Sequence, residues 1–360
     1  MPSTVRTAAS ALAGAALASA HGFVSNVVIN GAFYGGYEVN SFPYMADPPT
    51  VIGWSSTATD LGFVAPDAFG SPDIICHRGS ENAQGYAEVA AGDSIFFQWN
   101  TWPDSHKGPV IDYLAPCGSA GCGSVDKTTL EFFKISEAGL VDGSSAPGIY
   151  ASDELIDNSN GWLTKIPESI APGDYVLRHE IIALHSGGDA NGAQNYPQCF
   201  NIRITGSGTE VPAGVLGTEL YKADDAGILF SIYSPVDDYP IPGPALIAGA
   251  GAVEVGSSAV ASTATATPVG EGGSAPTAAP TAAPTSEAPT DAPAPTQAPT
   301  STSAQGGETP APAPTSTSTP APPPAEDDET ETPSCPARRR KTKRSNKKNS
   351  KKARRNVARA

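Results

Sequence analysis

An all-β fold, an antiparallel sandwich with long loops ahead of a disordered C-terminal region, is what this sequence of 360 residues predicts. Three observations carry that expectation. Short runs of apolar and β-branched residues recur between loops rich in Gly and Pro. Helix signals are weak, and the composition changes abruptly after Leu246.

Residues 23–29 (Phe-Val-Ser-Asn-Val-Val-Ile) read as a strand that ends at the turn dipeptide Asn30-Gly31. Residues 86–90 and 94–99 flank Ala91-Gly92-Asp93, which predicts a hairpin-like or short-loop pair. Residues 175–184 and 199–204 are further strand candidates, rich in apolar and β-branched side chains. Residues 152–158 have the pattern of one or two helical turns. Between His21 and about Pro244 the mixed composition is enough for one domain with a real core, assigned to residues 21–245.

From Gly249 onward Ala, Thr, Pro and Ser dominate, and Ala-Pro-Thr recurs between residues 275 and 315. Such a segment buries too little apolar area to offset its ordering entropy, so residues 246–334 are expected to form an extended, disordered stalk. Its Ser, Thr and Pro content suits O-glycosylation in a secreted protein. No Asn-X-Ser/Thr acceptor occurs after residue 20.

The first twenty residues read as a secretory signal peptide. Arg6 precedes a mildly apolar run over residues 8–17, and Ala18-Ser19-Ala20 supplies the small-residue cleavage pattern. No stretch approaches the roughly 20 apolar residues that a membrane helix needs, so no membrane partner is expected. The mature protein is expected to be secreted, extracellular, monomeric and to begin at His21.

Charge is distributed unevenly. The net charge is −15, yet residues 335–360 carry thirteen of the 22 Lys and Arg and no acidic residue; without those thirteen cations the remainder stands at −28. A domain that acidic is a poor ligand for phosphate backbones, which excludes non-specific nucleic-acid binding and suits a neutral substrate. The basic tail itself admits two functional readings, attachment to acidic wall polymers or removal after Lys343-Arg344. A nuclear address is the usual meaning of such a run, and the signal peptide argues against it.

Five cysteines are present. Cys76, Cys117, Cys122 and Cys199 lie in the domain, where an oxidising compartment favours two disulfides and sequence leaves three connectivities open. A long-range Cys76–Cys199 staple with a local Cys117–Cys122 clip is the favoured set. Paired C-x-x-C knuckles are lacking, which disfavours zinc. Cys335 is left over, in the basic tail.

The five histidines are His21, His77, His106, His179 and His185. A histidine at a mature N-terminus offers a metal two nitrogens, its α-amine and its imidazole Nδ1. An imidazole from elsewhere adds a third. Planar nitrogen sets with weak axial ligands suit Cu(II). His77, beside a cysteine, reads as structural or exposed. His179 and His185 are an even number apart, which on one strand puts them on one face.

Four strings then resemble a known family. His21-Gly22-Phe23-Val24, Ser105-His106-Lys107-Gly108-Pro109, residues 177–185, and Gly192-Ala193-Gln194-Asn195-Tyr196-Pro197-Gln198-Cys199 occur in that order. Together they resemble the lytic polysaccharide monooxygenases of auxiliary activity family 9, formerly glycoside hydrolase family 61. The resemblance implies an immunoglobulin/fibronectin-III-like β-sandwich and supports the Cys76–Cys199 pairing. It implies one copper ion held by His21 and His106, with Tyr196 axial and His185 and Gln194 around it. It also implies an external reductant, small molecule or protein, with O2 or H2O2 as cosubstrate. Oxidation would fall at C1 or C4 of a β-1,4-glucan such as cellulose. Tyr37 and Tyr239 are candidates to stack on sugar rings. Two alternatives stand beside this reading: a hydrolytic glycosidase built on paired carboxylates, and a non-catalytic copper-binding or wall-binding protein.

Overall fold

The computed structural model describes residues 21–250 and 256–270. The signal segment, Cys335, the basic tail and most of the stalk lie outside the described residues.

Strand β1 (Val24–Ile29) turns through Asn30-Gly31 into β2 (Ala32–Gly35). Both turn residues have positive φ, 51° and 78°, as a two-residue loop matching strand twist demands. A long loop, which includes the short helix α1 (Asp73–Cys76), leads to β3 (Gly85–Ala90) and β4 (Ser94–Trp99). Next come β5 (Val110–Pro116), β6 (Glu131–Ala138) and a two-stranded ribbon, β7 (Leu140–Asp142) with β8 (Ile149–Tyr150). Helix α2 (Ala151–Asp157) falls where helical turns are predicted and precedes β9 (Gly161–Lys165). The two longest strands follow, β10 (Gly173–Ala183) and β11 (Gln194–Thr205). Short strands β12 (Val215–Leu216), β13 (Ser262–Thr263) and β14 (Thr267–Pro268) complete the set.

The architecture is the expected all-β sandwich. One sheet runs β13-β2-β1-β4-β9, and the other runs β12-β6-β5-β10-β11-β3-β14. Val27, Ile29, Phe97 and Trp99 of the first sheet share a core with Leu114, Phe133, Leu177, Ile181 and Phe200 of the second. The second sheet has another apolar layer on its far side. There Ile111, Tyr113, Val176 and Ile182 lie under loops that contribute Trp54, Phe69, Leu220 and Tyr221. Burial on both faces is why β10 carries apolar residues at consecutive positions, 175–177 and 181–183 on either side of a buried polar triplet, instead of an alternation.

Four expectations are corrected. The two runs around Ala91-Gly92-Asp93 are strands, but not a hairpin: β3 belongs to one sheet and β4 to the other, and the loop crosses the sandwich. A tight turn signal marks the reversal and carries no information about the sheet that receives the next strand. The sandwich is not wholly antiparallel, because β3 runs parallel to β11 and β13 parallel to β2. His179 and His185 do not share a face, since β10 stops at Ala183 and Gly187 closes a turn on the Leu184 carbonyl. Finally, the domain does not end at residue 245. Residues 256–270 return to it, with β13 pairing onto the edge of one sheet and β14 onto the edge of the other. Ala266 is buried in the inter-sheet core. This stretch precedes the Pro-dense repeats, so its backbone donors remain available to pair.

Both predicted disulfides are present, Cys76–Cys199 and Cys117–Cys122.

If residues 262–268 seal both sheet edges, Ala266→Glu in the otherwise intact chain places a charge in the core and detaches the segment. The expected cost is about 1–3 kcal/mol, seen as a fall of about 3–8 °C in the calorimetric melting temperature. An unchanged melting temperature would contradict that role.

Candidate metal centre

The start of β1, the end of β4, the end of β10 and the start of β11 all lie at one end of the sandwich. Register sets the convergence, because Val24 pairs with Trp99 and Ala183 with Gln194. His21 precedes β1, His106 follows β4, His185 follows β10, and Gln194 and Tyr196 open β11. The structure therefore gathers five residues that are separated by up to 175 positions in sequence.

The His21 ring centroid is 4.9 Å from that of His106 and 5.5 Å from that of Tyr196. His185 lies 4.1 Å from His106, ring centroid to ring centroid. The Tyr196 hydroxyl donates to Gln194 Oε1 at 2.7 Å. His21 is held by the backbone that follows it. The Phe23 amide donates to Asn100 Oδ1 at 2.9 Å and the Val24 amide to Gln198 Oε1 at 2.8 Å. Residue 22 must be glycine for this approach, since a Cβ there would sit 1.9 Å from the Thr101 carbonyl oxygen. On the His106 side, the Trp102 indole donates to the His106 carbonyl at 2.9 Å, and Ser105 Oγ lies 3.0 Å from Nδ1. Trp102 also packs edge-on against Tyr196, with centroids 5.0 Å apart.

His106 Nε2 is buried and makes no hydrogen bond, and the same holds for His185 Nδ1. An orphaned imidazole nitrogen is costly unless a ligand completes it. Burial, reinforced by His185 and His21, pushes the His106 imidazole down to about 4. Burial also lowers His21, against the opposing charge of Asp60, and lowers His185, with His21 adding to the effect. Each shift favours the neutral imidazole, the form in which a ring nitrogen can bind a metal. Burial raises the Tyr196 phenol far above its usual range, so it stays protonated. Among the described residues no group of three or more His, Cys, Asp and Glu side chains is placed to hold a metal ion. Two neighbouring imidazoles fit a metal when further donors complete the set, and an α-amine at residue 21 would be one such donor in a chain that begins there.

The model of Auxiliary Activity family 9 (formerly GH61) matches residues 21–239. The chain belongs to this family. It is 65% identical over 267 residues to lytic polysaccharide monooxygenase D of Podospora anserina, covering 74% of this chain and 77% of that one. Identity to lytic polysaccharide monooxygenase B of Aspergillus fumigatus is 59%, over 68% of this chain and 98% of the relative. Among solved structures, the extended catalytic domain of H. jecorina LPMO9A is matched with a TM-score of 0.66 and 55% identity. That match covers 69% of this chain and all of the other. Family 9 membership makes the chain a lytic polysaccharide monooxygenase, whose reaction is the oxidative cleavage of polysaccharide.

The remaining predicted residues fall elsewhere. Tyr239 is a correction: only 5% exposed, its ring packs against Tyr150 and Phe230 and its hydroxyl donates to the Gly227 carbonyl at 2.6 Å. No face is left for a sugar. Tyr37 is half-buried and packs edge-on against Phe42. The aromatic rings that do reach solvent are Tyr44, 77% exposed, and Tyr233, 66% exposed. Tyr44 lies in the loop that contains Tyr37, in a Phe-Pro-Tyr turn that could have flagged it. Tyr233 follows Phe230, whose amide bonds the carbonyl of Gly187 just beyond His185. Phe63, 6.5 Å from His21 and 6.1 Å from Tyr196, is a further neighbour that no local sequence signal marks.

His77 supplies a pH test that is independent of metal. It is buried, its Nδ1 accepts the Arg78 amide at 2.8 Å, and burial with the adjacent Arg78 charge pushes it down to about 4. The unfolded chain binds this proton below about pH 6.5, whereas the folded chain does so only near 4. Stability is therefore full above pH 6.5 and falls as pH drops towards 4, by on the order of 3 kcal/mol from this group. Urea denaturation of metal-free protein across that window should show the slope, and His77→Gln should flatten it by about that amount.

Proposed function

We propose that this family 9 monooxygenase is a secreted copper enzyme that cleaves β-1,4-glucan, cellulose in the first instance, at C1 or C4. The observation that carries the copper reading is the buried, unbonded Nε2 of His106 beside the His21 ring. His21 would contribute its α-amine and Nδ1, and His106 its Nε2, a three-nitrogen set suited to Cu(II). Bound copper supplies the one-electron chemistry by which an external reductant and O2 or H2O2 oxidise the sugar C–H bond.

The chain's own residues do the rest. Tyr196 donates its proton to Gln194, which leaves the phenol oxygen lone pairs unused by that bond, and the protonated phenol would be a weak, neutral neighbour of a bound metal. That same bond occupies Gln194 Oε1 and leaves the amide nitrogen as a donor towards oxygen. His185, its ring tilted against that of His106 and its imidazole shifted by burial towards the neutral form, can hold a proton at Nδ1. Tyr44 and Tyr233 offer exposed ring faces of the kind that stack on pyranose rings. A neutral glucan suits an acidic domain, and one structural relative, 34% identical with a TM-score of 0.55, is described as a cellulose-active polysaccharide monooxygenase from M. thermophila.

Copper-loaded protein beginning at His21, with amorphous cellulose and ascorbate, should release oxidised oligosaccharides visible by mass spectrometry. Products should vanish without copper or without reductant, and their masses report C1 or C4 attack. Unoxidised sugars released without copper would overturn the reading. His106→Ala should abolish both the copper electron-spin signal and the products while circular dichroism stays unchanged. Gln194→Ala should keep the copper and lower the rate about 10–100-fold.

A further inference from the structure

We infer that the Asp60–Arg78 ion pair is a sugar-binding element at the rim of this site, which reads the hydroxyl groups of the glucan unit beside His21. The inference rests on the glucan reading above.

The pair is solvent-exposed and lies beside the site. Arg78 Nη2 donates to Asp60 Oδ1, and the side chains are 34% and 67% exposed. Three residues after Asp60, Phe63 packs near both His21 and Tyr196. Val64 then bridges to Asn195, next to Tyr196. Leu61 and Gly62 line the same hollow as Gly22, the residue after His21. The Asp60 charge is felt at the His21 imidazole, and both charges are felt at the Tyr196 phenol.

The pair is also built to stay in place. Arg78 follows His77 and the bridged Cys76, whose partner Cys199 lies three residues after Tyr196. Its carbonyl accepts the Thr57 amide at 2.9 Å. Asp60 Oδ1 accepts the Gly62 amide at 3.1 Å, and a Cβ on Gly62 would meet Arg78 Nη2 at 2.7 Å, so a larger residue there would displace the guanidinium from its present place. Stability does not account for this care, since exposed ion pairs contribute about 0–1 kcal/mol. Nor is the guanidinium satisfied, because its buried Nε has no partner. What the pair offers is several N–H donors beside a carboxylate oxygen, with no net charge. Sugar hydroxyls are matching acceptors and donors, and a preorganised pair loses little entropy on binding them. Tyr44 and Tyr233 supply flat contact, whereas the ion pair supplies polar contact that distinguishes orientations of the chain.

The test uses the intact mature protein, copper-loaded, with Asp60→Asn and Arg78→Gln. Cellohexaose affinity is measured by calorimetry, alongside copper affinity and the ratio of C1- to C4-oxidised products. The expected result is that each substitution weakens cellohexaose about 5–20-fold, as for hydrogen bonds to charged groups, with copper affinity within twofold of the parent and a shifted product ratio. Unchanged cellohexaose affinity in both variants, while the parent binds and Tyr233→Ala weakens it, would overturn the inference and leave the glucan reading standing. A loss of copper affinity in step with sugar affinity would also overturn it, assigning the pair to support of His21. Failure of the parent to bind any β-1,4-glucan would remove the glucan reading and this inference together.

Discussion

Eleven paired positions join β10 to β11, from Gly173 opposite Ile204 to Ala183 opposite Gln194. Almost everything functional hangs from that ladder. Its central place in the larger sheet buries both faces, so alternate residues serve different layers. Tyr175, Leu177, Ile181 and Ala183 fill the space between the sheets, while Val176 and Ile182 support the loops outside. Its closed end delivers Gln194 and Tyr196, and the turn beyond it delivers His185. A one-residue slip would exchange the two faces and disperse the site.

The same alternation governs the buried polar groups. Arg178 and Glu180 point to the loop side, where they bond each other at 2.7 and 2.9 Å. Arg178 also donates to the carbonyls of Ile74 and Ile75, and Glu180 accepts from Asn195 and Tyr221. His179 points the other way and bridges Asp112 and the Trp99 indole, with Thr164 bonding the far oxygen of Asp112. Removing one partner from such a set strands a buried charge, whereas the complete set is close to neutral in stability. Its contribution is register, because only one alignment of β10, β11 and β5 satisfies every member. Precision at the metal end follows from satisfaction in the middle.

The sequence makes the strands and the gathered site legible to different degrees. Turn chemistry at Asn30-Gly31 foretells the first hairpin because two local residues decide it. The crossing from β3 to β4 is hidden, because its outcome depends on which sheet has an open edge. His21, His106, Gln194 and Tyr196 are recognisable through strings that resemble a family, not through spacing, since their proximity is a product of register. The aromatic residues show the limit plainly. Tyr37, Tyr44 and Tyr239 share the same chemistry in loop sequence, and only packing separates the half-buried, the exposed and the buried ring. Residues 256–270 read as stalk by composition, yet two open sheet edges need partners, and a low-complexity strand with free backbone donors is sufficient to supply them.

Under the copper reading, that economy extends to the ligands. Although three imidazoles meet at this end of the sandwich, no three His, Cys, Asp or Glu side chains among the described residues are placed to hold one metal ion. The missing nitrogen is an α-amine, which exists at His21 only once the peptide bond to Ala20 is cut. Before cleavage that nitrogen is an amide, a poor donor at neutral pH, and the two imidazoles alone bind copper weakly. On that reading, removal of residues 1–20 would complete the donor set, since it would turn the residue 21 amide into an amine. The depressed His106 imidazole complements this order of events, since a neutral nitrogen is ready whenever the amine appears, even at mildly acid pH. On this reading the fold would supply the imidazoles, and processing the amine.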